Sequence, residues 1–147
     1  MNHLLVLIIA LLAATSATAQ ITSCSTPNMT STFKMTNISV NPAPARGATV
    51  TFSLSGVATT TLSTVTLTVT TSLVINGQPI PVDVRTLPCS GVVGCNYPVG
   101  AITVTGAQLI PSYTPGGDYS VQGVFSGTNA AGVSVEFGCI VDVFTIT

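Results

Sequence analysis

Histidine is nearly absent. His3 is the only one in 147 residues, and it opens the apolar run His3 to Leu12, which leads to Ala17-Thr18-Ala19 before Gln20. A short apolar core, Leu4 to Ala14, ending in a small-x-small site reads as a secretory signal peptide over residues 1–19, because a membrane span needs about 20 apolar residues. Once that segment is removed, no imidazole remains, so a Ser-His or Cys-His nucleophile cannot be assembled. Charge is also scarce: 5% of residues are charged and the formal net charge is −1. Lys34, Arg46 and Arg85 are the only cations, which excludes a basic footprint for nucleic acid and leaves little long-range steering toward any partner. Of the acidic residues Asp83, Asp118, Glu136 and Asp142, two could form a glycosidase pair, but Glu136 and Asp142 alternate with Val and Phe and are expected to face solvent. Phosphate-binding Gly-rich loops are missing, and oxygen ligands are too sparse for a metal. No enzyme, metal or cofactor is therefore expected. After residue 19 nothing resembles a membrane span, since Thr and Ser interrupt Leu62 to Ile75, and Asp142 breaks the last apolar stretch where a lipid-anchor tail would lie.

What the sequence does contain is a rhythm of two, the period that sends successive side chains to opposite faces of a strand. Val65, Leu67, Val69, Leu73 and Ile75 share one parity. The same pattern recurs in Val50, Phe52, Leu54, in Tyr119, Val121, Phe125, and in Val133, Val135, Phe137, Val141, Val143. Turn residues separate these runs: Asn41 to Gly47, Asn76-Gly77, the cysteine loop, Pro111 to Gly117, and Gly127 to Gly132. Asn76-Gly77 is a two-residue hairpin signature, since both residues tolerate positive φ. About seven short strands without helical periodicity predict an all-β, antiparallel sandwich of immunoglobulin-like architecture over residues 20–147. The four cysteines allow three connectivities, which spacing does not strictly separate. Local loop closure favours Cys89–Cys95 and leaves Cys24 to join Cys139, a long loop that would contribute roughly 4–5 kcal/mol against about 2 for the short one. Asn28-Met29-Thr30 and Asn37-Ile38-Ser39 are glycan acceptor triplets.

The order of these motifs resembles the ML, or MD-2-related lipid-recognition, domain family. Cys24 precedes a strand ending Asn37-Ile38-Ser39-Val40-Asn41-Pro42, then come Arg46-Gly47 and Asn76-Gly77-Gln78-Pro79-Ile80-Pro81-Val82, which looks like the family's Gly-x-Pro-x-Pro turn. Cys89 and Cys95, Leu109-Ile110-Pro111, Pro115-Gly116-Gly117-Asp118-Tyr119 and Cys139 complete the order. Within the family the chain is most similar to phosphatidylglycerol/phosphatidylinositol transfer proteins, whose segment corresponding to Pro42–Gly47 also lacks cysteine, and to Niemann-Pick C2-like proteins. It departs from the usual Cys-Pro, because Asn96-Tyr97-Pro98 follows Cys95. The family's disulfide pattern is Cys24–Cys139 with Cys89–Cys95.

The resemblance implies a sandwich whose sheets splay to admit a phospholipid or sterol, carried between membranes with transient membrane contact. The expected lining is Ile38, Val40, Val50, Phe52, Leu54, Val69, Leu73, Ile80, Val82, Val121, Phe125, Phe137 and Val141, with Tyr113 and Pro115 at the entrance. Arg85 or Lys34 would reach a headgroup phosphate. Without a cavity the same residues would pack as the core of a secreted structural or adhesion module. The expected product is a monomer in extracellular fluid or a lysosome-like lumen, either a free carrier or one presenting lipid to a hydrolase or receptor.

Overall fold

The computed structural model describes residues 21–88 and 95–147. Residues 1–19, read as a signal peptide, and Cys89 lie outside the described residues. Seven long strands form the body: β2 (Phe33–Asn41), β3 (Thr49–Ala58), β4 (Leu62–Ile75), β5 (Gln78–Leu87), β7 (Gly100–Leu109), β8 (Gly117–Thr128) and β9 (Ser134–Ile146). Two two-residue strands, β1 (Thr22–Ser23) and β6 (Asn96–Tyr97), are added at the margins. The larger sheet runs β1-β9-β8-β4-β5 with β6 against the start of β4, and the smaller runs β2-β3-β7. All these strand pairs are antiparallel, so the architecture is the immunoglobulin-like sandwich expected from the period-two pattern. The β4–β5 hairpin closes where anticipated, with Ile75 opposite Gln78 and φ of 53° at Asn76 and 76° at Gly77.

Register explains which side chains form the core. Val50, Phe52 and Leu54 of β3 face inward with Val65, Leu67 and Val69 of β4 and Val121 and Phe125 of β8, all essentially buried. Close approach of the sheets depends on two glycines without side chains: a Cβ on Gly106 would collide with Leu67 Cδ2, and one on Gly138 with Leu54 Cδ2. One end of the sandwich is dry and aromatic, with Phe137 touching Phe33 edge-on at 5.6 Å and Phe125 at 6.2 Å.

In β9 the parity changes partway. Ser126 pairs with Glu136 but Phe125 with Gly138, so Phe137 is an extra residue in a bulge. Beyond it Ile140, Asp142, Phe144 and Ile146 face inward. This corrects two expectations drawn from unbroken alternation. Val141 faces outward instead of lining the interior, and Asp142, expected in solvent, is 1% exposed. The outward side of β9 also carries Cys139, bonded to Cys24 with the Cα atoms 5.0 Å apart. That bridge holds β1 against the sheet. Cys95 is likewise disulfide-bonded.

Candidate functional site

At the end opposite the aromatic cluster the sheets do not close. β3 begins there with Val50 and Phe52, β8 with Tyr119 and Val121, and β9 finishes there with Phe144. These side chains enclose a cavity of about 320 Å³ that also touches Thr71, Val82, Asp83, Arg85, Gln108, Leu109 and the segment Ile110–Pro115 except Ser112, with Pro44 on the far lip. Its size lies at the lower end of the roughly 300–1,000 Å³ spanned by small-molecule sites. The walls are apolar and the polar groups sit toward the rim.

Local hydrogen bonds position the mouth. The Gly47 amide donates to the Ile110 carbonyl at 2.8 Å and the Ile110 amide to Ala48 at 2.9 Å, joining the Pro-rich turn to the end of β7. Arg46 Nε donates to the Thr114 carbonyl at 2.7 Å, and the Tyr119 hydroxyl donates to the Pro115 carbonyl at 3.0 Å. Tyr119 stacks on Phe144 with ring centroids 6.0 Å apart. Two loops that are polar and Pro-rich in sequence therefore form a tied lip around an apolar interior.

The expected lining residues divide into distinct groups. Val50, Phe52, Val82, Val121, Tyr113 and Pro115 line the cavity. Leu54, Val69, Phe125 and Phe137 are packed in the closed core, while Ile38, Val40 and Leu73 pack against that core without bordering the space. Ile80 faces Leu73 on β5 but is 48% exposed and outside the cavity, and Val141 is on the opposite face of β9. Among lining residues not anticipated, Tyr119 and Phe144 are inner-face aromatics, and Gln108, Asp83 and Thr114 bring polar atoms. Phe144 was hidden by the β9 bulge; Tyr119 was visible in its alternating run. Of the cations considered for a headgroup, Arg85 borders the cavity; Lys34 is exposed on β2, away from it.

Among the described residues Asp142 is the one buried charged side chain, directly opposite Val121 of the cavity wall. Neither carboxylate oxygen has a hydrogen-bond partner among the described residues. Burial pushes its pKa up, and the nearby Val143 amide, short of good hydrogen-bond geometry, only partly offsets this. The other acids are solvated or held at the surface: Glu136 accepts a hydrogen bond from the Thr26 hydroxyl, and Asp118 accepts from Thr145 at 2.7 Å. Among the described residues no cluster of three His, Cys, Asp or Glu could hold a metal ion. The site can enclose apolar groups and present polar ones at its rim.

Comparison with solved structures finds the same fold in proteins of low sequence identity. A Niemann-Pick type C2 protein from Japanese carpenter ant superposes with a TM-score of 0.58 at 13% identity, covering 86% of this chain and 98% of its own. Chicken MD-1 complexed with lipid IVa gives 0.51 at 18% identity, covering 85% and 87%. The C-terminal domain of wzt gives 0.52 at 9%, covering 88% and 78%. No curated protein matches the sequence itself. The family model of the ML domain matches residues 18–141, most of the sequence and every cavity-lining residue except Phe144, and the chain therefore belongs to the ML-domain family.

Proposed function

We propose that this protein is a secreted or lumenal lipid carrier, which holds the apolar part of a phospholipid or sterol at the open end of the sandwich and moves it between membranes. The observation that carries this reading is the apolar cavity between the sheets, where a dry sandwich would have continued its core. An acyl chain leaving a bilayer exposes methylenes at about 0.8 kcal/mol each, and a wall of Val50, Phe52, Val121 and Phe144 offsets that cost. Family membership supports the lipid-binding role, and a relative in fold, chicken MD-1, was solved with lipid IVa bound. The rim supports transient membrane contact: Tyr113 is 85% and Val82 58% exposed, beside Leu109. Asn28 and Asn37 are both exposed and outside the cavity lining, so glycans there would leave the mouth clear. The mature domain, residues 20–147, would act as a monomer.

The test is native mass spectrometry of the secreted, oxidised protein, followed by organic extraction and identification of what is released. A stoichiometric lipid is expected, and Val121→Trp, which fills the cavity from its wall, should reduce lipid occupancy at least about tenfold with the protein still folded. A protein that is empty and takes up neither phospholipid nor sterol from vesicles would defeat the carrier reading in favour of a structural or adhesion module.

A further inference from the structure

Among the described residues that line the cavity, two carry charge, Asp83 and Arg85. They are joined, with Arg85 Nε donating to Asp83 Oδ2 at 2.7 Å. Standing two apart on β5, they share a face by the strand period, and their partners across the ladder, Thr71 and Val69, fix that face as the inner one. Because β5 is the edge of the larger sheet, their side chains reach the mouth of the cavity while remaining 41% and 55% exposed, respectively. Of the other cations, Lys34 is exposed on β2 away from the cavity, and Arg46 sits on the outer lip, where its Nε is bonded to the Thr114 carbonyl, without lining the cavity. The cavity lining therefore presents one positive and one negative group in contact.

This arrangement discriminates between headgroups. An anionic headgroup approaching Arg85 meets Asp83 beside it, so one attraction is offset by one repulsion. A zwitterionic headgroup carries a phosphate and an ammonium a few bonds apart. It can set the phosphate against the guanidinium and the ammonium against the carboxylate, leaving every charge with an opposite neighbour. We propose that Asp83 and Arg85 form a headgroup site that selects zwitterionic phospholipids over anionic ones. The proposal rests on the carrier reading and narrows it, away from the phosphatidylglycerol and phosphatidylinositol suggested by the family likeness.

The test is titration of the full oxidised protein with lysophosphatidylcholine, lysophosphatidylethanolamine and lysophosphatidylglycerol of one acyl chain, below their aggregation concentrations. The uncharged monoacylglycerol and chainless glycerophosphocholine serve as references. The two zwitterionic lipids are expected to bind about two- to fivefold more tightly than the anionic one, the range that pairs at this exposure allow. Asp83→Asn should invert that order, Arg85→Gln should weaken the zwitterionic lipids, and Lys34→Gln should leave the order as it is. Equal or tighter binding of lysophosphatidylglycerol, an order indifferent to Asp83→Asn, or glycerophosphocholine binding as well as its lysolipid would overturn the headgroup site. In those cases lipid binding itself would still support the carrier. If no lysolipid and no monoacylglycerol binds, the carrier reading and the headgroup site fall together.

Discussion

A carboxylate between two valines ordinarily lies on the wet side of a strand, and Asp142 is on the dry side only because Phe137 adds one residue to β9 upstream of it. The consequence is an acid for which ionisation is costly in the native state. Its folded pKa is raised, so its contribution to stability is complete at low pH, where it is neutral in both states. That contribution is lost as pH rises through the folded value, because the unfolded chain releases the proton more readily. Asp142→Asn, an uncharged isostere, should therefore match the parent near pH 3 and exceed it by several degrees in Tm at neutral pH. Thermal unfolding across pH reads this directly, and a variant that is less stable than the parent at neutral pH would show that the carboxylate has a partner the fold requires. Other residues were readable without coordinates. Tyr113, Pro115 and Val82, singled out by the family resemblance, border the cavity, and their part in lipid binding is a proposal. Asp83 and Arg85 were not readable as a pair on its wall, since period two gives their common face but not that an edge strand carries it past the opposing sheet.

Among the elements, the hairpin of β4 and β5 was legible because Asn76-Gly77 encodes its turn in two adjacent residues. Pro79 and Pro81 lie on β5, an edge strand, where a missing amide donor does least harm. β7 was the faintest strand. Its inner face carries Ile102, Val104, Gly106 and Gln108, so only two apolar side chains mark it, and Gly106 is small because Leu67 occupies the space. The β9 bulge left no local mark, since the residues on both sides of it continue to alternate. Gly138, the first inward position beyond the bulge, accepts Leu54 from the other sheet. Gly138→Ala should cost about 1–3 kcal/mol by overpacking, measured by denaturant unfolding. A loss well below that would mean that Leu54 has room to turn aside.

At the scale of the molecule the Cys24–Cys139 bridge spans 115 positions and is the main covalent constraint on the chain. Replacing both cysteines by serine should lower the unfolding free energy by about 4–5 kcal/mol on the chain-entropy estimate, read from urea denaturation under oxidising conditions. An unchanged midpoint would mean that β1 contributes nothing to the closure of the sheet. The sequence by itself determined the class of the fold, the hairpin and turn positions, the family and the candidate pairing of Cys24 with Cys139. Each of these follows from information local along the chain: a two-residue period, a pair of turn residues, or an ordered set of short motifs. Only the tertiary structure decided which inward side chains pack and which border a cavity, that Asp142 is buried while Val141 is not, and that the rim pairs Asp83 with Arg85. Alternation states which face a residue takes. How far apart two sheets stand, and where one overhangs the other, depends on register and on contacts such as Gly106 with Leu67 and Gly138 with Leu54, between residues far apart in the chain.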